Sequence, residues 1–126
     1  MKAYRIENQS KRHGLWRDFD GNINPVFEKL SVGKCRNMPM EDSDFYRYGG
    51  ERWFSATDEP LKMRNWFDVE DVVELEALGY NLYEFDIRAC RTVSEFEIVF
   101  NRGDVLRQRL IDPATIWPDY AARKEN

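Results

Sequence analysis

The chain has 126 residues, of which 42% are hydrophobic, 14% aromatic and 33% charged. That length suits one domain with its own core, and the aromatic content excludes a disordered chain. The formal net charge is −4, from 19 basic and 23 acidic residues, so general nucleic-acid binding by phosphate neutralisation is not expected.

No stretch approaches the ~18 apolar residues of a membrane span. The opening Met1-Lys2-Ala3-Tyr4-Arg5-Ile6-Glu7 lacks the apolar region of a signal peptide, and the expected location is the cytoplasm. Cys35 and Cys90 are far apart, have no zinc spacing and are expected to remain thiols. His13 is the only histidine, so a His-rich metal site is excluded and no metal is expected.

The first element is a half-buried strand over 3–7, where Tyr4 and Ile6 alternate with Arg5 and Glu7. Asn24 and Pro25 form a helix start, with Val26, Phe27 and Leu30 on its apolar face and Gly33 as its stop. The polar stretch 34–50, with Pro39 and Gly49-Gly50, reads as a long loop. Residues 53–57 read as a buried strand feeding a helix that Thr57 or Asp58 caps, with Pro60 in its first turn. Asp68 is placed to cap a second helix, whose stripe is Val69, Val72, Val73 and Ala77, widened by Leu75 and Leu78. Gly79 is placed to end it in the left-handed conformation.

Alternation returns at 81–88, with Tyr83, Phe85 and Ile87 on one side. A short connection at 91–94 leads to a strand at 95–100, a hairpin-type turn at 101–104 and a returning strand at 105–111. The polar residues 118–126 are expected to form a frayed tail. Together these elements predict a single α+β domain over 1–126, with a small mixed or antiparallel sheet around a central helical segment.

The sharpest chemical signal is Glu95-Phe96-Glu97. Two carboxylates two positions apart on a strand project from one face, where like charges resist joint ionisation. Such a pair suits a site where one carboxylate steadies a cation and another takes a proton, although a solvated sheet face produces the same spacing. Arg5, on the first strand, has the planar fork that grips phosphate or carboxylate. Ser55 and Thr57 place two hydroxyls on one face where a strand enters a helix.

In this order, an arginine on the first strand, Ser55-Ala56-Thr57 and Glu95-Phe96-Glu97 resemble the Arg-Ser-Glu class of mono-ADP-ribosyltransferases. The diphtheria-toxin-like class is less similar, because it has a histidine on the first strand. The resemblance implies an ADP-ribosyltransferase-like fold with NAD as substrate. Arg5 would hold the NAD phosphates or ribose, and Ser55 would brace the nicotinamide pocket with Thr57 supporting it. Glu97 would stabilise the cation left as nicotinamide departs, and Glu95 would orient or deprotonate the acceptor. The family's middle motif is usually Ser-Thr-Ser, and its loop before the acidic strand is longer.

The opening Tyr-Arg-Ile-Glu, the Leu-x-x-x-x-Trp-Phe run from Leu61 and the Leu-Gly-Tyr end of the acidic helix also resemble small uncharacterised proteins of tailed phages and prophages. That resemblance implies an effector in the host cytoplasm with a host protein as acceptor or target. Two further readings stay open. One is a non-catalytic inhibitor that blocks a host antiphage-defence protein, through the acidic loop 41–48 and aromatics such as Trp16, Phe45 and Tyr46. The other is a nucleotide-binding module without turnover.

Overall fold

The computed structural model describes residues 1–10, 13–14 and 53–125. The helix expected from Asn24, the loop at 34–50, Cys35 and the aromatics Trp16, Phe45 and Tyr46 lie outside these residues. Among those described, the strands are β1 (Lys2–Asn8), β2 (His13–Gly14), β3 (Trp53–Ala56), β4 (Asn81–Ile87), β5 (Arg91–Ser94), β6 (Glu97–Asn101) and β7 (Val105–Leu110). The helices are α1 (Val69–Ala77) and α2 (Tyr120–Lys124), with 3-10 turns at Pro60–Asn65, Arg102–Asp104 and Pro113–Thr115.

The strands form two antiparallel sheets, in the orders β2-β1-β4-β7 and β3-β6-β5. Among the described residues the sheets meet at one bridge, where Tyr4 and Thr57 exchange backbone hydrogen bonds of 2.8 and 3.0 Å. The fold is thus α+β, with a central helical segment between the third and fourth strands.

β1 is buried from Ala3 through Asn8 because it has a core on each face. Tyr4 and Ile6 face a core built with Met63, Trp66 and Phe67, with Val72 and Leu75 of α1, and with Ile116, Trp117 and Tyr120. On the opposite face Ala3 joins Phe85 and Ile87 of β4, with Ala56, Ile98 and Phe100 of the second sheet. Phe85 and Phe100 rings pack there 5.3 Å apart, with Phe54 6.0 Å from Phe100. Tilted aromatic contacts of this kind add to the area they bury.

Local chemistry explains the helical segment. Pro60 starts a 3-10 turn instead of the expected α-helix, and Trp66 and Phe67 at its end are buried. Asp68 caps α1 reciprocally with Asp71, whose carboxylate accepts the Asp68 backbone N–H at 3.1 Å. Gly79 ends the helix at φ 92°, and its N–H bonds Glu76 while the Tyr80 N–H bonds Leu75. This pair of bonds closes the helix as its glycine predicts.

Four further expectations are corrected. Residues 91–94 are a strand, β5, and not a bare connection. The strand expected at 95–100 begins at Glu97, because residues 95 and 96 turn the β5–β6 hairpin. The turn at 102–104 does not close a hairpin: β7 pairs with β4 and not with β6, so the chain crosses from one sheet to the other. Alternation alone cannot tell these two routes apart, since β6 and β7 each send residues to the same inter-sheet core. Residues beyond Pro118 form α2 rather than a frayed tail, because Tyr120 is buried against α1 and Trp117. Among the described residues, no helix is long and apolar enough to cross a membrane.

Candidate functional site

The site lies where β1 and β3 part company. After the Tyr4–Thr57 exchange, a continued antiparallel ladder would next exchange bonds between Ile6 and Ser55. The bridge is instead isolated, and the Ser55 carbonyl accepts a bond from Arg5 Nη1 at 2.9 Å. A side chain thus takes a backbone position that the fork would otherwise leave unfilled.

Strand alternation sets the faces. Ser55 lies opposite Val99, and Glu97 is two residues before Val99, so all three share a face of the second sheet. Phe54, Ala56, Ile98 and Phe100 occupy the other face, toward the inter-sheet core. On its face Ser55 Oγ donates to Glu97 Oε2 at 2.6 Å, and both residues are buried. A hydroxyl-to-carboxylate bond this short is of the charge-assisted kind. Ser55 is therefore a joint: its carbonyl holds Arg5 and its hydroxyl holds Glu97.

Arg5 approaches from the inter-sheet side, with its guanidinium 5.1 Å from the centroid of the Phe54 ring. Its Nε donates to Glu7 Oε1 at 2.6 Å. Two residues apart on β1, Arg5 and Glu7 share a face, so the pair follows directly from strand periodicity. Arg102 Nη2 reaches the same Glu7 oxygen from the turn after β6, and Gln9 donates to the other at 2.9 Å. The Arg102 guanidinium also lies 4.6 Å from the Phe54 centroid and 5.0 Å from that of Phe85. Burial alone would push the Glu7 carboxyl up. The charge of Arg5, the bond and charge of Arg102 and the Gln9 amide together outweigh it and hold the carboxyl below its usual range.

The remaining predicted residues are more peripheral. Thr57 is fully buried, but its hydroxyl donates to the Glu59 carbonyl at 2.9 Å and so braces the chain as it leaves β3. Glu95 does not share the strand face of Glu97. It is exposed in the β5–β6 turn, near enough to Lys62 to help raise that amine's pKa, behind the Asp58 hydrogen bond and charge. The structure thus links Arg5, Ser55 and Glu97 through bonds, places Glu95 at the surface and turns Thr57 aside. Sequence reasoning missed Glu7 and Arg102. The Arg5-x-Glu7 spacing was a usable signal for the first, whereas Arg102 arrives from a turn whose course the pattern did not reveal.

Elsewhere, a second ionic group lies on the other face of the first sheet. Glu84 accepts from Tyr4 Oη at 3.0 Å and pairs with Lys2 at 3.1 Å and Arg109 at 2.6 Å. Cys90 is half-buried, and burial pushes its thiol up, which does not suit a nucleophile. Among the described residues, no group of acidic, histidine or cysteine side chains is arranged to hold a metal ion. No family model, curated protein or solved structure matches the chain.

Proposed function

We propose that the protein is an NAD-dependent mono-ADP-ribosyltransferase with an ADP-ribosyltransferase-like fold. The observation that supports this reading best is the pairing of Ser55 with Glu97 on one face, joined through the Ser55 carbonyl to Arg5. One residue from each of three short motifs, widely separated along the chain, belongs to this bonded chain.

The chemistry follows from the residues. As the bond between the ribose carbon and nicotinamide breaks, its electron pair leaves with the nicotinamide ring and positive charge develops on the sugar. A carboxylate fixed beforehand stabilises that charge without reorganising. Ser55 fixes Glu97 in this way. Arg5 has Nε on Glu7 and Nη1 on Ser55, and Nη2 makes no hydrogen bond among the described residues, leaving a donor for the diphosphate. The acceptor then forms its bond at the sugar carbon and gives up a proton, which exposed Glu95 in the β5–β6 turn would take. Thr57 supports the strand end that carries Ser55. With the likeness to small phage proteins, the reading becomes an effector that modifies a host protein.

The test is nicotinamide release from NAD, together with transfer of labelled ADP-ribose to proteins of a bacterial lysate. Wild-type protein is expected to do both, and Glu97→Gln to lose at least about a hundredfold in rate. Absence of both activities in folded wild-type protein would refute the proposal. A second reading, a nucleotide-binding module without turnover, predicts NAD binding with no nicotinamide release.

A further inference from the structure

Arg5, Glu7 and Arg102 form one ionic unit. Both guanidinium groups bind the same carboxylate oxygen, Glu7 Oε1. Glu7 is 3% exposed at its side chain and Arg5 9%, whereas Arg102 is 36% exposed and closes the unit from the solvent side. Counting charges, Arg5 and Glu7 alone cancel, and a cancelled pair has little attraction for an anion. Arg102 restores a net charge of +1 to the unit. It does so over the rings of Phe54, Phe85 and Phe100, at 4.6, 5.0 and 5.9 Å from their centroids, which hold its guanidinium in place.

We infer that Arg102 is a positioning residue for anion binding: it neutralises Glu7, so that Arg5 can hold a diphosphate group at the fork between β1 and β3. The inference rests on the NAD reading for the identity of the ligand but not for its charge. The role is distinct from that of Arg5, which touches the ligand. Arg102 acts through Glu7, and Glu7 is the competitor that the ligand must share Arg5 with.

A purely structural role for this cluster predicts that any break in it weakens binding. The charge account predicts opposite signs for Arg102 and Glu7. The experiment is titration of inorganic pyrophosphate and, separately, NAD into the full chain by calorimetry at low salt, with folding of each variant checked by circular dichroism. Arg102→Gln is expected to weaken pyrophosphate binding by roughly tenfold or more, and Arg102→Lys to restore most of it, since lysine returns the charge. Glu7→Gln is expected to tighten pyrophosphate binding, because the unit then carries two uncompensated positive charges. If Glu7→Gln fails to fold, the contrast between Arg102→Gln and Arg102→Lys carries the test alone.

Unchanged binding in Arg102→Gln, or equal losses in Arg102→Gln and Arg102→Lys, would overturn the inference, as would weakened binding in folded Glu7→Gln. Wild-type protein that binds no pyrophosphate overturns it too, whatever NAD does. Failure of the transferase reading looks different: pyrophosphate binding would keep its dependence on Arg102 while NAD released no nicotinamide.

Discussion

Replacing Glu7 with glutamine should cost stability in a manner that depends on pH. The side chain is 3% exposed and shares one oxygen between Arg5 and Arg102. Removing one member of a buried ion pair costs about 3–5 kcal/mol, largely because the partner stays buried without its counter-charge. Here the lower end applies. Arg102 is 36% exposed and can turn to water, and Arg5 keeps the Ser55 carbonyl and the Phe54 ring. Glutamine also retains an acceptor, so the loss at pH 7 is about 3 kcal/mol.

The sign of the pH dependence follows from the direction of the shift. The Glu7 carboxyl is held below its ordinary value in the folded protein. Its contribution is therefore present above the unfolded-state pKa and is lost as pH falls through the folded one. Wild-type and Glu7→Gln proteins should differ most at neutral pH and converge as the medium is acidified below the ordinary carboxylate range. Urea denaturation at a series of pH values between 7 and 3 measures this directly. A loss under about 1 kcal/mol at pH 7, or a gap that stays constant down to pH 3, would refute the reasoning.

Three other outcomes are expected. Ser55→Ala leaves the Arg5 bond to the backbone carbonyl intact but removes the hydroxyl bond to Glu97, so NAD turnover should fall about 10–100-fold, as for loss of a hydrogen bond to a charged group; an unchanged rate would remove Ser55 from the mechanism. Glu95→Ala touches only an exposed turn, so thermal stability should stay within about 0.5 kcal/mol of wild type, while transfer to protein acceptors should fall at least about tenfold in a gel assay. Asp71→Ala removes the acceptor for the Asp68 N–H at the start of α1, and denaturation should report a loss of about 1 kcal/mol with no change in NAD binding.

The parts of the fold that were legible in the sequence are those set by local chemistry. Alternation through Tyr83, Phe85 and Ile87 identified β4, and Gly79 marked the end of α1, because pleat and left-handed backbone are properties of a few neighbouring residues. Pairing is a property of distant ones. Residues 105–110 look like the return arm of a hairpin, yet they bond β4, and the choice was made by which sheet had an open edge. The same limit applies to the site. Arg5, Ser55 and Glu97 could be named from their motifs, but the fork that joins them depends on where β3 stops pairing with β1. Glu95 was assigned the face of Glu97 because period two was extended two residues too far, into the turn.

β1 has a core on each face and a strand on each side, and most of its contacts lie far along the chain. Tyr4 meets Glu84 across 80 positions of sequence, and Arg5 meets Ser55 across 50. During synthesis at about 5–20 residues per second, β1 would wait roughly 4–16 s for its β4 partner to be made. For that interval a strand with Tyr4 and Ile6 on one side and charged residues on the other has only the two-residue β2 beside it. The candidate site therefore has no early, partial form. It comes into being only when the last of the distant strands has docked, so it forms with the completion of folding.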